Sequence, residues 1–137
     1  TTGEVPRIEA FETVEGFWTM RNELYSADNI PDDQSLALHL PGKGLVVISG
    51  CAHSGIINTI RHAQRITGEE RLYAVIGGFH LMGADQKRID ATARVLLDLD
   101  PAIVRPGHCT GQKALSRLQE MLGESCQPLA VGDSIEL

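Results

Sequence analysis

No apolar run in this sequence approaches the roughly 18 residues that a membrane-spanning helix needs, and no secretory signal pattern opens it. A soluble chain is expected. Positive charge is also scarce: 12 basic against 18 acidic residues give a net charge of −6, which argues against nucleic acid or an anionic membrane as the main partner. Cysteine is limited to Cys51, Cys109 and Cys126, an odd number without the density of a disulfide scaffold and without the Cys-x-x-Cys pairing of a zinc finger. That usage predicts a reducing, cytoplasmic setting. A Walker loop and a GxGxxG fingerprint are both lacking, so no nucleotide-binding motif is evident.

What is present is a repeated unit of strand, loop and helix. Leu45 to Ile48 is a short apolar run between Gly44 and Gly50, which reads as a strand buried on both faces. His53 follows, then Ser54 as a helix N-cap, then Ile56, Ile60 and Ala63 at helical spacing. The second copy runs from Leu72 to Ile76 into Gly-Gly-Phe-His-Leu-Met-Gly with His80, and on to a helix from about Gln86 with Ile89, Ala93, Leu96 and Leu97 on one face. In the third, Ala102 to Val104 leads into Pro-Gly-His-Cys-Thr-Gly with His108, then Leu115, Leu118 and Leu122. The histidines stand 27 and then 28 residues apart. Right-handed crossovers keep such strands parallel, so all three imidazoles are expected at one rim of one sheet, where open α/β sheets bind ligands.

With 137 residues and 42% hydrophobic residues the chain suffices for one domain with its own core. Residues 1–34 show little periodicity, with Pro6, Gly16 and Pro31 as breakers, and read as an irregular segment whose Phe17, Trp18, Met20 and Tyr25 pack on something. Residues 35–137 read as the α/β domain. Leu36, Leu38 and Leu40 alternate with Ala37 and His39 before a Pro-Gly-Lys-Gly turn, a β-hairpin in which His39 faces solvent. His62 falls on the outer side of the first helix. Gly123 caps the third helix, and the residues on either side of Gly132-Asp133 read as a terminal hairpin.

Neutral imidazole is the commonest metal ligand, and three with one open position are the arrangement of a catalytic zinc site. His53, His80 and His108 are therefore the candidate ligands of a divalent metal, zinc first, with manganese or iron as alternatives. A loop histidine bonded to backbone is the bland alternative for each. Ser54-Gly55 and Thr110-Gly111 each open a helix and resemble anion-binding turns, although capping accounts for Ser54 equally well. Ser54, Cys109, Thr110 and Gly111 are the candidate substrate-binding residues. Cys51 reads as a small buried residue.

Taken together, Gly-Cys-Ala-His-Ser-Gly-Ile-Ile-Asn-Thr, Ile-Gly-Gly-Phe-His-Leu and Pro-Gly-His-Cys-Thr-Gly resemble the carboxyl-terminal half of the metallo-β-lactamase superfamily. The branch is that of the superfamily II metal-dependent hydrolases, which includes dihydropterin-ribofuranosylaminobenzene phosphate synthases. The resemblance covers about residues 32–137, with the Asp33-Gln34 pair that precedes the hairpin in that branch. It implies half of an αββα sandwich, a mixed sheet with three helices. His53 matches the histidine that completes the first metal site and His108 the one that completes the second. His80 stands near the family's bridging aspartate as a substitute ligand. The family's His-x-His-x-Asp-His signature has no counterpart, since no His-x-His occurs here.

The resemblance implies part of a metal-dependent hydrolase in which a metal-activated water attacks a phosphoester or related bond, or a pterin-related synthase of the same branch. The competing class is a non-catalytic α/β binding or assembly module. A cysteine-nucleophile hydrolase using Cys109 and His108 is disfavoured because adjacent residues rarely orient for proton transfer. The expected partners are a small-molecule substrate, phosphorylated or not, and either a second copy of the chain or the missing amino-terminal half. Neither nucleic acid nor membrane is expected.

Overall fold

A computed structural model describes residues 1–12 and 16–137 of the chain. Its centre is a four-stranded mixed sheet in the order β3, β4, β5, β6, made by Ser35–Leu40, Gly44–Ser49, Leu72–Gly78 and Ile103–Gly107. β3 and β4 form the antiparallel hairpin around Pro41-Gly42-Lys43, with Leu38 opposite Val46. β4, β5 and β6 are parallel, and Val47, Val75 and Val104 line up across them.

The long parallel connections are made by helices α1 (Ile56–Thr67) and α2 (Gln86–Leu99), and α3 (Gln112–Leu122) follows β6. Their apolar stripes explain their place. Ile56, Ile60 and Ala63 of α1, Ile89, Ala93 and Leu96 of α2, and Ala114 and Leu118 of α3 join Leu45, Val47, Val75 and Val104 in one core. Leu97, expected on that face, is about half exposed instead. The other face of the sheet holds Val46, Ala74 and Ile76, with Leu129 and Ile135 of the tail resting against them.

Because Leu36 and Leu38 share the parity of Val46 and Ile48, they lie on this second face, where they are 48% and 42% exposed. Ala37 is the β3 residue that meets the helical core. His39 lies on the opposite face from these leucines and is exposed, as expected, within 3.2 Å of Glu69.

The amino-terminal segment is more ordered than its sequence suggests. Trp18–Arg21 (β1) and Leu24–Ala27 (β2) pair antiparallel in a two-stranded hairpin of their own. Asn22 and Glu23, with φ of 51° and 64°, form the two-residue turn between them, a conformation that the sequence signals only when a glycine is present. Residues 1–12 run along the domain. Thr2 N–H donates to the Ser35 carbonyl at 2.8 Å, and His62 Nε2 lies 3.1 Å from the Thr2 carbonyl, so His62 is half-buried rather than free on the surface.

Two further expectations are corrected. Ser54 is not the N-cap of α1; Gly55 holds that position with no side-chain cap. The helix is closed by a distant group, Glu12, whose Oε1 and Oε2 accept the N–H groups of Ile57 and Asn58 at 2.9 and 2.7 Å. A carboxylate satisfies two of the orphan N–H groups where a serine hydroxyl satisfies one. At the other end no terminal hairpin forms. Gln127 and Leu129 donate to the carbonyls of Val104 and Pro106 on β6, and the Asp133 carboxylate takes the Ala130 N–H at 2.8 Å that hairpin pairing would have used.

Candidate metal centre

The loops after β4, β5 and β6 leave the sheet at one end and are hydrogen-bonded to one another. Gly78 N–H donates to Gly50 O at 3.0 Å, Phe79 N–H to Thr110 Oγ1 at 3.2 Å, and Met82 N–H to Cys109 O at 3.0 Å. A side chain at Gly78 would strike the Gly50 carbonyl and come within 2.9 Å of Cys109 Sγ, so the loops can meet only because that position is glycine. Ala52, His80 and His108 carry φ of 56°, 46° and 50°, one left-handed non-glycine residue per loop. Such a conformation costs about 1–2 kcal/mol per residue, and it recurs here at two of the candidate histidines themselves.

His53 and His80 face each other, with ring centroids 4.7 Å apart and planes at 71°. Phe17 lies over the pair, 5.2 Å from the His53 ring and 5.9 Å from that of His80. His53 Nδ1 is 3.5 Å from Asp33 Oδ1, and the other oxygen of that carboxylate accepts the Ser54 N–H at 2.9 Å. Arg7 donates to the carbonyls of His53 and Asn29, which fastens the amino-terminal segment to the same loop. His80 Nδ1 is buried with no hydrogen-bond partner. Burial, followed by the charges of His53 and Arg88, holds the His80 imidazole below its ordinary pKa and hence neutral.

His108 turns to a different neighbour. Its Nε2 lies 3.0 Å from Cys51 Sγ, and the Cys109 thiol donates to the Cys51 carbonyl at 3.3 Å. Burial pushes the Cys109 thiol up, only partly offset by backbone hydrogen bonding at His80. Thr110 is buried and fully engaged, donating to Gly107 O at 2.7 Å while accepting from Phe79. Ser54 is buried too, its carbonyl accepting Asn58 Nδ2 at 2.8 Å. Gly111, His108 and Met82 border an open groove of about 290 Å³ that continues to Leu115 and Leu129.

No family model matches the chain. It is 38% identical over 121 residues to the 7,8-dihydropterin-6-methyl-4-(β-D-ribofuranosyl)-aminobenzene-5'-phosphate synthase of Methanocaldococcus jannaschii, covering 88% of this chain and 41% of that protein. An uncharacterized protein of the same archaeon is 33% identical over 120 residues, 88% of this chain and 43% of its own length. Among solved structures, a metal-dependent hydrolase of the β-lactamase superfamily superposes with a TM-score of 0.80 at 30% identity, covering 88% of this chain and 46% of the other. The fold is that of the metallo-β-lactamase superfamily. This metallo-β-lactamase-like chain spans less than half the length of each of these relatives.

The sequence makes the three loop histidines legible as candidates but not the groups beside them. Asp33, legible in the sequence only within the Asp33-Gln34 pair, stands 3.5 Å from His53 Nδ1. Cys51, read as buried filler, touches His108 across 57 residues of sequence. A carboxylate just before a strand whose start lies beside a histidine loop is the signal that could have found Asp33. For Cys51 the signal was its place two residues before His53.

Proposed function

We propose that this chain is part of a metal-dependent hydrolase, holding a divalent ion with His53, His80 and His108 and acting on a small, phosphorylated molecule. The observation that carries the reading is the His53 and His80 pair at 4.7 Å, with the His80 Nδ1 buried and unpartnered, in a chain with the fold of a metal-dependent hydrolase. The donors suit such an ion in kind, one imidazole being kept neutral by burial and one backed by a carboxylate; among the described residues the three donor atoms do not stand within 4.8 Å of one another, so closing them on one ion requires His108 to turn from Cys51.

When bound, the ion supplies Lewis acidity and a water acidic enough to act as a nucleophile near neutral pH. The chain's own residues do the rest. Asp33 favours the His53 tautomer with the proton on Nδ1, which leaves Nε2 as the donor. Phe17 covers the imidazole pair and keeps bulk water from one side of it. The groove beside His108 and Gly111 receives the body of the substrate, with Cys109, Thr110 and Ser54 shaping the loops behind it. Zinc suits these donors; manganese or iron would take the same nitrogen and oxygen set.

A second reading, a pterin-related synthase, is favoured by the 38% identity to the archaeal synthase. Both readings need donors beyond this chain for a complete site, because no His-x-His occurs in it. A reducing, cytoplasmic setting suits its three free thiols. No helix among the described residues is long and apolar enough to cross a membrane.

The test is elemental analysis of protein purified without chelator. The expected result is a retained divalent metal whose amount falls in the His53→Ala and His80→Ala double variant. A folded wild-type chain that retains none after micromolar zinc is supplied would contradict the reading.

A further inference from the structure

Cys51 Sγ, His108 Nε2 and Cys109 Sγ all lie within 4.8 Å of one another, and they are the one group of three or more histidine, cysteine or acidic donors so arranged among the described residues. Nothing in the histidine reading requires the two thiols to be there. We propose that Cys51 and Cys109 join His108 in a sulfur-rich site that binds one thiophilic divalent cation. The inference rests on the proposed metal reading through His108, which it shares.

Spacing supports it. Zinc bonds of about 2.3 Å to sulfur and 2.0–2.1 Å to nitrogen place tetrahedral donor atoms about 3.5–3.8 Å apart. The Cys51 to His108 separation of 3.0 Å has to open by only about half an ångström, which is within the reach of side-chain rotation. Charge supports it as well: two thiolates and a divalent cation sum to zero, so the half-buried position of both cysteines adds no net charge to the interior. Gly78 lets the cysteine loops approach, since any side chain there would meet Cys109 Sγ at 2.9 Å and Cys51 Cα at 3.2 Å. His108 is exposed and borders the groove of about 290 Å³. Three protein donors leave one tetrahedral position for a further ligand, the pattern of a reactive site rather than a closed structural one. Two sulfurs also select against magnesium, calcium and manganese, which prefer oxygen.

The ordinary alternative is a pair of thiol hydrogen bonds, from Cys51 to His108 and from Cys109 to the Cys51 carbonyl. Cobalt(II) separates the two. The fully reduced chain is titrated with cobalt, bound metal is counted by equilibrium dialysis, and the near-ultraviolet and visible spectra are recorded. We expect bound cobalt with a thiolate-to-cobalt charge-transfer band that disappears in Cys51→Ser and in Cys109→Ser and persists in the His53→Ala and His80→Ala double variant. Circular dichroism checks that the variants fold. As a second reading on the wild-type chain alone, zinc should protect the Cys51 and Cys109 thiols from a disulfide reagent. Cobalt bound with visible bands but no charge-transfer band would overturn the sulfur site and leave the histidine reading standing. No bound cobalt on a folded chain would overturn both.

Discussion

Glu12 and Asn58 hold each other in place: Glu12 Oε2 accepts the Asn58 N–H at 2.7 Å, and Asn58 Oδ1 accepts the N–H groups of Ile8 and Glu9 at 3.0 and 2.9 Å. The amino-terminal segment thus caps α1, and α1 in turn organises the segment. Since α1 begins directly behind the His53 loop, this exchange also steadies one side of the candidate site. Glu12→Ala would leave the N–H groups of Ile57 and Asn58 unpaired in a buried place, and a loss of about 2–3 kcal/mol is expected in urea unfolding.

The same residue makes stability depend on pH. Burial outweighs the two backbone hydrogen bonds and the nearby Arg88, raising the Glu12 carboxyl from its ordinary 4.5 to about 7. The folded state therefore holds this proton more tightly than the unfolded chain. The contribution is complete below about pH 4.5 and is lost as pH rises through about 7. Unfolding curves of Glu12→Gln, measured at pH 5 and pH 8, should show a smaller difference than those of the wild type. An equal difference would remove Glu12 as the cause.

Much of the architecture is legible because it depends on local patterns. The strand-loop-helix units have apolar runs that match one buried face, and Pro41-Gly42 marks the β3 and β4 turn plainly. What escapes is what depends on partners far along the chain. No periodicity reveals that Glu12 caps a helix 45 residues later or that Cys51 meets His108. The hairpin at Trp18 hides behind an Asn22-Glu23 turn without glycine. The exposure of Leu36 and Leu38 is not legible either, because alternation identifies two faces without saying which one the helices occupy.

Those leucines lead to a prediction about association. Trp18, Met20, Leu24 and Tyr25 are between 62% and 74% exposed on a two-stranded hairpin, and such a hairpin is marginal alone in water. The hairpin and the open sheet face are expected to be covered by a second copy, or by the part of the fold that makes up the rest of the relatives' length. Sedimentation over a concentration series should show the chain self-associating, with Trp18→Ser and Leu36→Ser shifting it toward monomer. A wild type that stays monomeric at high micromolar concentration would contradict this.

Asp33 should act on metal affinity through His53. Asp33→Asn keeps an acceptor for the Ser54 N–H but removes the charge beside His53 Nδ1. Zinc affinity, measured by competition with a chromophoric chelator, is expected to fall about 10- to 100-fold while the unfolding midpoint changes little. An unchanged affinity would mean that His53 needs no support from the carboxylate.

Gly78→Ala tests the convergence of the loops. With the Gly50 carbonyl and Cys109 Sγ in its path, the added methyl group must push two loops apart, and a destabilisation of about 1–3 kcal/mol is expected in urea unfolding. Zinc affinity should fall with it.

The central claim is that the loops after β4, β5 and β6 jointly hold a metal ion. Anomalous scattering at the zinc absorption edge, from crystals of the chain grown with zinc, tests it most directly. A peak is expected at the carboxyl end of the sheet, within bonding distance of donors from His53, His80 or His108. Bound zinc only elsewhere on the surface, with those imidazoles unligated, would contradict it.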